Sequence, residues 1–142
     1  MNLLSIILCF SINYNTTESS NSLYPSIVLK LSSLKNKKGK ILISLFSSEK
    51  GFPDDEKKSY KYWVEEPKEE IILKNITPGK YAISLLHDED GDYKMTYNFF
   101  GFPKEGFGFS NFDASIFDLP KFEEANFEHK KNGTVVKLNV NY

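Results

Sequence analysis

A single cysteine, Cys9, stands in a chain of 142 residues. It excludes an intramolecular disulfide framework and any cysteine-based zinc cluster, both of which need more than one thiol. Charge of one sign is also scarce: 18 basic residues against 19 acidic ones leave a net charge of -1 and a pI near 6.1. That balance excludes a nucleic-acid binder that tracks phosphates, because counterion release needs a cationic face. Long apolar runs are missing as well. The run Leu3 to Phe10 is too short to span a bilayer, and no transmembrane segment is expected in the mature chain. What is present is core material. Apolar residues make up 40% of the chain and aromatics 15%, enough for one globular domain.

The apolar run Leu3 to Phe10, followed by the polar stretch Ser11 to Ser22, has the length of a secretory h-region. Residues 1–22 are therefore read as a signal peptide with a polar leader, and residues 23–142 as a single domain. The expected location is outside the cytoplasm: periplasmic, outer-membrane-associated or secreted. No Lys or Arg precedes the run and no clean small-residue cleavage site follows, so a buried N-terminal strand is the alternative. Acylation at Cys9 fits less well, because Leu8 stands where a small residue is required.

From Ser26 onward the apolar period is close to two, at Ile27, Leu29 and Leu31, at Ile41, Ile43 and Leu45, and at Tyr81, Ile83 and Leu85. These segments read as half-buried strands. The first two are separated by Asn36-Lys-Lys-Gly39, a solvated lysine turn with a glycine, which predicts a hairpin and antiparallel neighbours. Tyr60 to Val64, Glu70 to Leu73 and Thr134 to Val140 carry strand-forming residues between turn signals. Only Asp54 to Lys61 suggests a helical turn, with Asp54 as its cap. No internal repeat is evident. The expectation is an all-β fold, an antiparallel β-sandwich of about seven strands with a long ordered Gly/Phe-rich loop.

That loop, residues 87–111 (HDEDGDYKMTYNFFGFPKEGFGFSN), is where function is expected, because regular periodicity gives way to specific side chains. Asp88, Glu89, Asp90 and Asp92 crowd negative charge. Two carboxylates about 4 Å apart repel by roughly 1 kcal/mol in water and about 4 kcal/mol in a partly dry site. A calcium ion held by Asp88, Asp90 and Asp92 would relieve this, with Asn98, Glu105 or Asp113 closing the loop. The spacing starts like an EF-hand but fails where Tyr93 replaces the turn glycine and Phe99 the closing glutamate. A hydrated turn screened by Lys94 is the competing account.

His87, Asp88 and Ser110 are the candidate catalytic groups of a hydrolase, although neighbours on a strand point to opposite faces and no nucleophile elbow surrounds Ser110. A histidine there is more often a hydrogen-bonding fixture of the loop. His129 reads as a surface residue. The rings of Phe99, Phe100, Phe102, Phe107, Phe109, Phe112 and Phe117 are too many to leave in water. Each is worth about 1.5–3 kcal/mol when buried. They predict a lid over one end of the sandwich, turned by Gly101, Gly106 and Gly108, with a few rings left at the rim of a concave site. The candidate binding set is His87, Asp88, Asn98, Phe100, Glu105, Phe107, Phe109 and Asn111.

Residues 39–46 (GKILISLF), 51–54 (GFPD), 78–81 (PGKY), His87-Asp88, 98–111 (NFFGFPKEGFGFSN) and 122–125 (FEEA) occur in the order and spacing of a bacterial family, domain of unknown function 2141. The resemblance covers roughly Ser26 to Val140. It implies an exported protein with an immunoglobulin-like or prealbumin-like sandwich, and no established reaction. The function expected is a non-catalytic binding or envelope-associated interaction module that uses the 87–111 loop. Its partner would be an unknown ligand or envelope protein. A calcium-stabilised structural module and a hydrolase are the alternatives.

Overall fold

A computed structural model describes residues 24–115 and 118–142, so the leader, Cys9 and Phe117 lie outside the described residues. The strands are β1 (Ile27–Ser32), β2 (Lys40–Phe46), β3 (Tyr60–Val64), β4 (Glu70–Leu73), β5 (Gly79–Asp88), β6 (Gly106–Phe109), β7 (Phe127–His129) and β8 (Thr134–Asn139). One helical turn, α1 (Phe122–Ala125), precedes β7. A three-stranded sheet runs β4-β1-β8, and a five-stranded sheet runs β3-β2-β5-β6 with β7 also paired to β5. The protein is thus an all-β two-sheet sandwich. None of its described helices is long and apolar enough to cross a membrane.

The core lies between the sheets. Ile27, Leu29 and Leu31 of β1 and Val136 and Leu138 of β8 meet Ile41, Ile43 and Leu45 of β2 and Ile83 and Leu85 of β5. The period of two seen in the sequence places these residues on one face, and burying each full side chain contributes about 1.5–3 kcal/mol.

Four sequence expectations need correction. The predicted hairpin between β1 and β2 does not form: β1 pairs with β4 and β8, while β2 pairs with β3 and β5, so the 33–39 connection crosses between sheets. Gly39 has a φ of +64° for another reason. A Cβ there would fall 1.8 Å from the Asp88 carbonyl oxygen, so the glycine admits the backbone of β5. The sandwich is not wholly antiparallel, since β1 and β8 run parallel in register Ile27 to Thr134. β2 and β5 are not half-buried either, because loops cover the outer face of the five-stranded sheet and leave Leu42, Ser44, Phe46, Ala82, Leu86 and Asp88 buried. Finally, the expected helical turn is a single 3-10 turn, Glu56–Lys58, capped by Asp55 rather than Asp54.

The segment 106–109 reads as loop but is strand β6, antiparallel to β5. Its alternation explains itself. Phe107 and Phe109 lie opposite Leu86 and Ser84 on the outer face, whereas Gly106 and Gly108 face inward opposite His87 and Leu85. A Cβ on Gly108 would sit 2.3 Å from the Asn139 carbonyl oxygen, and one on Gly106 would sit 2.6 Å from the Tyr142 ring. These glycines do not turn the chain. They let the end of the other sheet press against β6.

Candidate functional site

The outer face of the five-stranded sheet carries a cleft of about 260 Å³. Its floor is Leu42 and Ser44 of β2 with Ser84 and Leu86 of β5; Phe107 and Phe109 of β6 wall one side. Pro53, Asp54 and Glu56 border another edge, and Met95, Tyr97, Gly101 and Pro103 reach it from the loop between β5 and β6. Beyond the cleft, Phe52 binds the outer layer together. Its ring meets those of Phe46, Phe109 and Phe122 edge-on at 5.3, 6.1 and 6.0 Å.

The loop beside the cleft is shaped by its own carboxylates. Asp88, fully buried, accepts the Gly91 N–H at 2.7 Å and the Tyr93 N–H at 3.0 Å. Glu105 accepts the Glu89 N–H and the Thr96 N–H, both at 2.9 Å, and Asp90 accepts the Asp92 N–H at 3.1 Å. Anionic acceptors of backbone N–H groups are strong ties, so the charge crowding seen in the sequence becomes loop structure. Burial pushes the Glu105 carboxyl above its usual range; the Thr96, Asp90 and Glu89 N–H groups oppose that shift, and the Asp90 charge adds to it.

Asp88, Asp90 and Glu105 bring one oxygen each within 4.8 Å of one another. Asp92 is not part of this cluster. It accepts the Lys94 N–H instead, and its other oxygen lies 3.7 Å from the Lys94 ammonium. Glu105, placed in the sequence as a closing ligand, thus takes the position expected of Asp92. Asp113 is elsewhere, bonded to Asn139.

The hairpin tip of the loop is held by Asn98, whose side-chain oxygen accepts the Phe100 and Phe102 N–H groups at 2.9 and 3.1 Å. Gly101, at φ +82°, closes the turn. The tip displays Phe99 and Phe100, 97% and 78% exposed, whereas Phe107 and Phe109 are buried on strand β6.

The candidate catalytic groups do not converge. His87 and Asp88 are consecutive on an unbroken β5 and point to opposite faces. His87 donates from Nε2 to the Lys38 carbonyl at 2.8 Å, because a carbonyl only accepts, and its Nδ1 shares a hydrogen bond of 2.6 Å with the Tyr142 hydroxyl. Burial raises the Tyr142 phenol above its usual range, against the Lys35 N–H that its oxygen accepts at 3.1 Å. Ser110 is fully buried; it donates to the Ala125 carbonyl at 2.6 Å and accepts the Ile83 N–H at 2.8 Å. Asn111 donates to the Asn126 carbonyl at 2.7 Å. His129 is not a surface residue. At 1% exposure it joins the Ile76 carbonyl and the Thr134 hydroxyl, both at 3.1 Å.

Sequence reasoning overlooked the cleft floor. Leu42, Ser44, Ser84 and Leu86 fall on the alternate positions assigned to solvent, and the one signal was Ser44 interrupting an otherwise apolar β2.

No curated protein and no solved structure matches the chain. A family model does match, over residues 29–137, and its description is "Uncharacterized protein conserved in bacteria (DUF2141)". With that match spanning most of its length, the chain belongs to this bacterial family of unknown function, DUF2141.

Proposed function

We propose that this chain is an exported, non-catalytic binding module that holds a small ligand in the outer-face cleft. The observation that carries the reading is the cleft itself, a concave apolar space over a β-sheet with few polar groups in it. His87 and Ser110 direct their polar atoms at structural partners, which favours binding over hydrolysis. Phe99 and Phe100 stand exposed on a hydrogen-bonded turn, where Tyr97, Gly101 and Pro103 border the cleft, an aromatic edge for whatever protrudes from it or for a partner at the cell envelope. Titration with toluene, followed by amide chemical shifts, tests this. Saturable shifts at Leu42, Ser84 and Phe107 that vanish in the cleft-filling variant Ser84→Leu are expected; shifts absent or spread over the whole surface would remove the reading.

One geometric observation favours a second reading, a calcium-stabilised module. Asp88, Asp90 and Glu105 cluster, and no lysine forms an ion pair with them among the described residues. Calcium added to chelator-treated protein would raise the thermal midpoint, and Glu105→Gln would abolish the rise. An unchanged midpoint would leave the backbone N–H groups and the Thr96 hydroxyl, which donates to Asp90 at 3.3 Å, as the cluster's counterparts.

A further inference from the structure

The floor of the cleft holds two hydroxyls without a role in the fold. Ser44 of β2 and Ser84 of β5 are direct cross-strand partners on the outer face, and Ser44 is only 2% exposed. Neither side chain has a hydrogen-bond partner among the described residues; Ser84 is half-buried, and both line the cleft. Ser110 provides the contrast. As a buried serine serving structure, it gives one hydrogen bond and takes another. A hydroxyl that has no partner in the fold and opens onto an apolar cleft is left to bond with whatever occupies that cleft, water or a ligand group. Around the pair the surfaces are apolar: Leu42, Leu86, Met95, Phe107 and Phe109. Directly opposed side chains on antiparallel strands start about 5 Å apart, close enough for one polar atom between them to reach both hydroxyls. At the rim stand Asp54 and Glu56, of which Glu56 is neutralised by Lys61 at 2.7 Å. The remaining Asp54 charge disfavours an anion.

We propose that the cleft selects a small, uncharged, mainly apolar molecule bearing one hydroxyl or amide group, seated with that group between Ser44 and Ser84. This rests on the cleft being the binding site. Its space of about 260 Å³ suits a substituted ring or a short branched chain rather than a sugar, whose many hydroxyls would find only two partners.

Three probes of nearly equal shape test the assignment: p-cresol, which carries a hydroxyl, toluene, which lacks it, and p-toluate, which carries a negative charge. Dissociation constants come from amide-shift titration of the full chain and of a Ser44→Ala/Ser84→Ala variant whose amide spectrum confirms that it folds. p-Cresol should bind about tenfold more tightly than toluene, the size of one net hydrogen bond, and p-toluate more weakly than p-cresol. In the double variant the preference for p-cresol over toluene should disappear, the two dissociation constants becoming equal. Equal affinities in the native chain, a cresol preference that survives the double substitution, or tightest binding by p-toluate would each overturn the assignment while leaving the cleft as a site. Failure of both neutral probes to bind would defeat the binding reading itself, and this inference with it.

Discussion

The two faces of the five-stranded sheet are built from the same strands yet packed by different rules. On the inner face aliphatic side chains interdigitate with β1 and β8 so closely that β6 must carry Gly106 and Gly108 there. On the outer face, phenylalanines and loops form the cover. Phe46, Phe52, Phe109 and Phe122 meet edge-on and leave a cleft next to them, floored by two unpartnered hydroxyls. One face is the closely packed core, and the other leaves an open cleft.

The largest expected effect breaks this comparison at its tightest point. A methyl on Gly108 would meet the Asn139 carbonyl oxygen at 2.3 Å and the Leu138 Cδ2 at 2.5 Å, so the sheets must part or β8 must shift. Gly108→Ala should cost about 3 kcal/mol or more in urea unfolding, the upper range for overpacking. Its counterpart on the outer face, Ser84→Ala, removes a hydroxyl that bonds to nothing in the fold and should stay within about 0.5 kcal/mol of the native chain. Comparable losses at both positions would mean that the outer layer is packed as densely as the core.

The same contrast explains what could be read from the sequence. Alternation at 27–31, 41–45 and 81–85 identified the strands and their core faces, because burial on the inner side follows a strict period of two. It could not identify strand partners. Gly39 next to a lysine turn looks like a hairpin, but its positive φ serves the close passage of Asp88, a contact 49 residues away in the chain that no local signal encodes. β6 was hidden for a related reason: glycine weakens strand propensity, and only the neighbouring C-terminal segment at Asn139 to Tyr142 shows why it is needed there. The acidic loop was located correctly as an organised element, and Glu105 was among the named residues. The choice between Glu105 and Asp92 as third member of the cluster depended on a loop that returns after 15 residues, which spacing alone does not fix. His129 looked solvated between Glu128 and Lys130; alternation along β7 turns it inward and its two neighbours' side chains away from the core. The cleft floor was lost because Ser44 and Ser84 occupy positions that, in a sheet with one wet face, belong to water.

A smaller effect sharpens the comparison within the outer layer, where charge rather than packing holds the loop. Glu105 is 3% exposed, and burial raises its pKa above the reference of 4.5 despite the three N–H groups that favour the anion. A raised pKa means that the folded chain binds this proton more tightly than the unfolded chain does. The Glu105 contribution to stability is therefore greatest below the unfolded value near 4.5 and declines as pH rises through the folded value, remaining at its lower level beyond. Glu105→Gln removes that titration while keeping an amide oxygen to accept the Thr96 or Glu89 N–H. Thermal midpoints of the two proteins, measured at matched ionic strength from pH 4 to pH 8, should diverge in slope: the native curve carries a downward component above about pH 4.5 that the variant lacks. Carboxylates remote from Glu105 titrate alike in both chains and cancel in the difference, so the divergence belongs to Glu105 and the Asp90 carboxylate coupled to it. Parallel curves would mean that the backbone N–H groups offset burial completely, leaving Glu105 as a neutral brace. A difference of opposite sign would place the ionised carboxylate in a net stabilising environment, as a bound cation in the Asp88, Asp90 and Glu105 cluster would produce.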